Sequence, residues 1–227
     1  MFNFSQGDDL MLKYLTALPL IIAIIFIGAF TTQMISIDNL LPTETRLSTD
    51  PLNPINYSLN IDLTNTSFDK QGYNMCSGFA AAFIQRYYGQ PASGNQVYHE
   101  IAYKFPFDIG VPPHRLISHF KDNNLKAAAR TGELDELKYF SSKGIPVIVL
   151  VGEGFKWQHY MVLVGYSEND NEIYFYDPES GPAMIAREKP GNKTLPTDEF
   201  LAIWKNNLPF FSQVFITVEK TQMERST

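Results

Sequence analysis

Two hydrophobic rhythms divide the chain, one recurring every three or four residues in its middle and one unbroken in its second half. In Cys76-Ser77-Gly78-Phe79-Ala80-Ala81-Ala82-Phe83-Ile84-Gln85-Arg86-Tyr87-Tyr88, the rings of Phe79, Phe83 and Tyr87 recur at i, i+4 and i+8, and Ala80 and Ile84 widen the same stripe. The spacing predicts a helix that starts at Cys76 and stops at Gly89. A second helix is expected after Pro112 or Pro113, with Leu116, Ile117 and Phe120 on one face and Asn123-Asn124 at its end. Lys126 to Thr131 reads as a short strand, and Leu134 to Lys143 as a third helix closed by Gly144.

Beyond that point the apolar runs become continuous and β-branched. Ile145 to Val151, Tyr160 to Tyr166 and Glu172 to Tyr176 are expected strands, the last two forming a hairpin across Glu168-Asn169-Asp170-Asn171. After a loop holding Pro182, Pro190 and Gly191, Thr197 is expected to cap a helix running to Asn206, with Asp198 and Glu199 in its first turn. Gln213 to Glu219 supplies a final strand. Helices followed by strands indicate an α+β fold in which N-terminal helices pack on a C-terminal antiparallel sheet.

The N-terminus carries a different pattern. No charged residue occurs from Tyr14 to Thr32, a stretch close to the ~20 apolar residues that span a bilayer and longer than the ~7–15 of a signal-peptide core. With Asp8 and Asp9 ahead of it, residues 14–32 read as a transmembrane anchor, with a cleaved signal peptide as the alternative. Lys13 precedes the stretch and the next basic residue is Arg46, which places the N-terminus in the cytoplasm and the folded domain outside. The expected organisation is a tail at 1–13, the membrane segment, a Pro-containing linker at 33–56, one domain at 57–220 and a tail at 221–227. The protein is thus expected to be membrane-anchored with its domain extracytoplasmic (periplasmic or extracellular), or else secreted.

Composition narrows the partners. A net charge of −6, with no basic run, argues against nucleic acid, and the absence of a Gly-rich loop ending in Lys-Ser/Thr argues against a nucleotide. No Cys/His spacing suits a metal, and no cofactor is implied.

Cys76 is the single cysteine. A lone thiol cannot form an internal disulfide, and in an oxidising compartment its presence is easier to explain by function than by packing. A thiol attacks as thiolate, which a helix N-terminus and a nearby imidazolium both favour. His159 and Asp177, on neighbouring expected strands, supply a base and a carboxylate to orient it. Taken alone, each has a plain structural reading: a small buried hydrophobe, a satisfied strand histidine, a turn residue before Pro178. Their order, helix-borne Cys then strand-borne His then Asp, is the papain-type arrangement. His99, His114 and His119 lack such companions and read as surface or structural residues. Trp157 either covers the imidazole or serves the hairpin edge.

Several segments together carry a resemblance: Gln71 and Cys76-x-x-x-Ala80, Arg86-Tyr87-Tyr88-Gly89, Lys143 to Leu150, His159 to Tyr166, Tyr176-Asp177-Pro178, and Glu199-Phe200-x-x-x-Trp204. From about Tyr57 to Lys220 the chain resembles the C39-like peptidase family, relatives of the bacteriocin-leader processing peptidases in the papain-like cysteine peptidase clan. The resemblance implies the papain-like fold, with Cys76 as nucleophile, His159 as general base and Asp177 as orienting carboxylate. It also implies that the Gln71 side chain donates to the oxyanion, with Asn74 a nearer possible substitute. The expected activity is cleavage of a peptide or protein substrate through a thioester at Cys76. A cell-wall amidase or transpeptidase using the same triad, and a catalytically idle peptide-binding domain, are the alternatives. Two features depart from the family pattern. Ser77 stands where glycine is usual, and the transporter and ATPase modules of leader-processing members are absent, so their double-glycine substrates do not carry over.

Overall fold

The structure, a computed structural model, describes residues 43–44, 61–101, 110–181 and 189–221. The expected membrane segment at 14–32, both tails apart from Thr221, and the linker apart from residues 43–44 lie outside the described residues. Among the described residues no helix is long and apolar enough to cross a membrane.

Helix α1 (Cys76–Tyr87) begins at the expected residue and is buried from Cys76 to Gln85. Small side chains permit that burial. A Cβ on Gly78 would lie 2.4 Å from Tyr98 Cβ and 2.7 Å from Gly94 O, so α1 and helix α2 (Gly94–Glu100) meet almost backbone to backbone. The chain leaves α1 through Gly89, whose φ of 83° suits glycine, and Gln90 N–H reaches back to Gln85 O at 2.9 Å. Helix α3 (Pro113–Asp122) opens on the expected proline. Helix α4 (Leu134–Ser142) carries a reciprocal cap between Glu133 and Glu136.

Among the described residues the sheet has seven strands: β1 (Thr43–Glu44), β2 (Leu125–Thr131), β3 (Val147–Gly152), β4 (Gln158–Ser167), β5 (Glu172–Tyr176), β6 (Lys193–Pro196) and β7 (Val214–Lys220). Their spatial order is β1-β2-β7-β3-β4-β5-β6. Every pairing is antiparallel except that of β1 with β2. Helix α5 (Thr197–Trp204) lies between β6 and β7 in sequence.

Helices pack on the antiparallel sheet as expected of an α+β fold, and they cover both of its faces. Ile148, Leu150, Val162, Val164, Tyr174 and Ile216 share a core with α1, α2 and α3. The alternate residues Val147, Val149, Met161, Leu163, Phe175 and Phe215 share a second core with Leu137 and Phe140 of α4 and with Phe200 and Trp204 of α5. Two buried faces explain why β3 reads as an unbroken apolar run rather than an alternating one. In β4 the register slips between Leu163 and Gly165, so Tyr166 changes sides and joins the α4–α5 core.

Three further expectations are revised. Residues 94–100 form a helix that the pattern does not announce, and 193–196 form an edge strand within the expected loop. Thr197 is the first helical residue rather than the cap: its hydroxyl donates to Asn171 O at 3.1 Å, and the helix ends at Trp204 rather than Asn206. Trp204 is fully buried, and its indole N–H finds Val214 O at 2.9 Å.

Candidate active site

The antiparallel β4–β5 pair brings the start of β4, where His159 lies, beside the end of β5, which Asp177 follows directly. The N-terminus of α1 meets this end of the sheet and presents Cys76, which is 9% exposed. His159 Nε2 lies 2.8 Å from Asp177 Oδ1, and Cys76 is the imidazole's second hydrogen-bond partner. With Nε2 engaged by the carboxylate, Nδ1 is the nitrogen left for the thiol.

Burial alone would pull the imidazole down from its ordinary value. The hydrogen bonds to Asp177 and Cys76, with the negative charge both can carry, outweigh it and lift His159 to about 10. Burial likewise pushes the Asp177 carboxyl upward, and the imidazolium, Glu179 N–H and Ser180 hydroxyl together hold it at about 2. The pair is therefore an imidazolium–carboxylate pair across neutral pH.

Asp177 is fixed from several sides. Glu179 N–H donates to Oδ1 and Ser180 Oγ–H to Oδ2, each at 2.9 Å. Asn192 bonds the Asp177 main chain in both directions, its Oδ1 accepting from Asp177 N at 2.6 Å and its Nδ2 donating to Asp177 O at 2.8 Å. Gln71 reaches the same turn through its main chain, its N–H donating to Pro178 O at 2.8 Å. Its side-chain Oε1 is buried with no hydrogen-bond partner among the described residues. Asn74 adopts a left-handed φ of 55° two residues before Cys76.

Below the site, Tyr160 Oη–H donates to Val111 O at 2.9 Å. Burial pushes this phenol well above its ordinary value, with Cys76 adding to the effect, so it stays protonated. The helix start at Cys76 has no side-chain cap, and the buried hydroxyl of Ser77 has no partner among the described residues. Trp157 is 42% exposed, and its carbonyl accepts Glu153 N–H at 3.1 Å, which is a hairpin-edge position.

The structure thus joins Cys76, His159 and Asp177, and ties Gln71 to the Asp177 turn. Of the other histidines, His99 is exposed and His114 half-buried. His119 is buried on α3, 3.5 Å from both Gln85 Oε1 and Asn123 Nδ2, a structural setting. Sequence reasoning missed Ser180 and Asn192. The Asp-x-x-Ser pattern of a side-chain-bonded turn was a signal for Ser180. Nothing in local spacing pointed to Asn192.

The model of the Peptidase_C39 like family matches residues 58–207, well over half of the chain. Among solved structures, the peptidase domain of Streptococcus ComA, a bi-functional ABC transporter involved in a quorum-sensing pathway, aligns with a TM-score of 0.53 at 15% identity. The alignment covers 69% of this chain and 99% of that one. Two others align at lower scores. The N-terminal peptidase C39 like domain of a toxin secretion ATP-binding protein from Vibrio parahaemolyticus has a TM-score of 0.46 at 19% identity, covering 66% and 99%. A double glycine motif protease from an AMS/PCAT transporter, crystallised with a leader peptide, has a TM-score of 0.47 at 18% identity, covering 70% and 96%. No curated protein matches the sequence.

Proposed function

The chain belongs to the C39-like peptidase family, and from that premise we propose that it is a papain-like cysteine peptidase that cleaves a peptide bond through a thioester at Cys76. The observation that carries the reading is one imidazole held between a carboxylate at 2.8 Å and the chain's single thiol.

In this mechanism Cys76 Sγ attacks the scissile carbonyl carbon while its proton resides on His159. The carbonyl oxygen becomes an oxyanion and accepts a hydrogen bond from the Gln71 amide. His159 then passes its proton to the leaving amine, the C–N bond breaks, and the acyl half remains as a thioester. Water gives a proton to His159 as its oxygen attacks the thioester. Collapse expels the sulfur as thiolate beside the protonated His159, which restores the starting pair, and frees the carboxylic acid. Asp177 holds the ring so that Nδ1 faces sulfur throughout.

The substrate is proposed to be a peptide or protein reached outside the cytoplasmic membrane, a reading supported by the uncharged stretch from Tyr14 to Thr32. Protease added to intact cells should reach the domain, and recovery of the whole protein from the soluble cytoplasm would overturn this location.

Mass spectrometry of a peptide library incubated with the full chain tests the activity. New termini that depend on Cys76 support hydrolysis, joined peptides indicate acyl transfer to an amine, and an unchanged library removes the peptidase reading. Alkylation by iodoacetamide tests the thiol separately: Cys76 should react in the folded protein at pH 6, and His159→Ala should lose that reactivity.

A further inference from the structure

Gly191 and Asn192 return the chain to the end of β5, at the place where Asp177 leaves it. Gly191 has a φ of 84°, and a Cβ there would lie 2.3 Å from Phe175 O and 3.0 Å from Val164 Cγ2. Only glycine lets the backbone pass this close to the strand. Asn192 N–H then pairs with Phe175 O at 2.9 Å, which fixes where its side chain begins.

That side chain makes three hydrogen bonds to one turn. Oδ1 accepts from Asp177 N at 2.6 Å, while Nδ2 donates to Asp177 O and to Gly181 O, both at 2.8 Å. The turn has its own internal bond, Ser180 N to Asp177 O at 3.2 Å. Asn192 adds what the turn lacks: a grip on both main-chain polar groups of Asp177 and on the turn's far end. With both groups held, the direction in which the Asp177 side chain leaves the backbone is set. The same turn receives Gln71 N–H at Pro178 O.

We infer that Asn192 is a positioning residue, whose amide sets the Asp177–Gly181 turn and thereby the angle at which the Asp177 carboxylate meets His159. An amide is the side chain that fits. The turn presents one N–H and two carbonyls, so its partner must accept once and donate twice. An aspartate could not donate, and it would place a second carboxylate beside the first.

The consequence for turnover rests on the peptidase reading; the consequence for His159 does not. The test follows the ring nitrogens of His159 by NMR titration of the full chain, in wild type, Asn192→Ala and Asn192→Ser, beside peptide turnover. In both variants the folded protein should lose its His159 imidazolium at a pH lower by about one unit or more, because the carboxylate no longer meets Nε2 squarely. Their kcat should fall between about 10- and 100-fold with KM nearly unchanged. In an Asp177→Asn background, Asn192→Ala should change neither quantity further.

A merely structural asparagine would lower the unfolding midpoint and leave the His159 titration of the folded protein alone, and that result overturns the inference. Failure of both variants to fold also overturns it, by assigning Asn192 to the fold. Wild-type protein that cleaves no peptide, yet shows the titration shift between wild type and variants, removes the peptidase reading and upholds the positioning role.

Discussion

The two ends of the site are held in opposite ways. At the Asp177 end, both carboxylate oxygens and both main-chain polar groups have partners: His159, Glu179, Ser180 and Asn192. At the Cys76 end, α1 starts without a side-chain cap, and the buried Ser77 Oγ and Gln71 Oε1 have no partners among the described residues. A fully bonded orienting group keeps its geometry through a reaction cycle. A buried polar atom left without a partner costs stability, so the Cys76 end is the less tightly bonded of the two. The contrast teaches that hydrogen bonding here is concentrated on Asp177, and Cys76 rides on a helix whose position comes from apolar burial.

The largest effect should come from the reacting end itself. Cys76→Ala should reduce peptide turnover by at least about 10⁴-fold while the unfolding midpoint stays near wild type, since alanine fills most of the space of a small buried thiol. Residual turnover at a tenth of wild type would remove Cys76 as nucleophile.

Asp177→Asn breaks the other end and should lower kcat by up to about 10⁴-fold. It also has a pH signature whose sign can be worked out. The Asp177 carboxyl is held down at about 2, so its contribution to stability is present above the unfolded value near 3.9 and is lost as pH falls toward 2. His159 is raised to about 10, so its contribution is full below about 6.5 and is lost as pH rises through 10. Wild type should therefore lose denaturation midpoint between pH 6.5 and 10 more steeply than Asp177→Asn. Parallel curves across that window would show that the pair adds nothing to the fold.

Gln71→Ala sharpens the comparison between rate and stability. Removal of an oxyanion donor should lower kcat by about 10²–10³-fold. Stability should scarcely change, because the bond that ties residue 71 to Pro178 O is a main-chain bond that alanine keeps. A KM effect without a kcat effect would place Gln71 in ground-state binding.

The smallest change concerns Ser77. Its hydroxyl is buried and unpaired among the described residues, so Ser77→Ala should raise stability by about 1 kcal/mol in urea denaturation. A loss of that size would mean that the hydroxyl has a partner in solution.

Much of this was legible in the residues. Ring spacing located the start of α1 at Cys76, and Pro113, Gly89 and Gly144 marked helix ends through backbone preferences that need no tertiary context. The runs that became β3, β4 and β5 were apolar enough to announce strands, within three residues at each end. The three groups of the site were legible as well, because a lone cysteine at a helix start followed by a strand histidine and an Asp-Pro turn is an informative order.

What the sequence could not settle was held by contacts between distant residues. Residues 94–100 form a helix because Gly94 and Tyr98 dock on Gly78, although their own pattern is nearly featureless. Lys193–Pro196 becomes a strand because β5 offers an open edge, in spite of its proline. Coverage of the sheet on both faces decided which side of each strand meets α1, and the slip in β4 changed it again for Tyr166. The hold of Asn192 on Asp177, fifteen residues away, was invisible for the same reason. Periodicity and propensity are properties of neighbouring residues, whereas a hydrogen bond closing across a long loop exists only once the backbones at its two ends have been brought together.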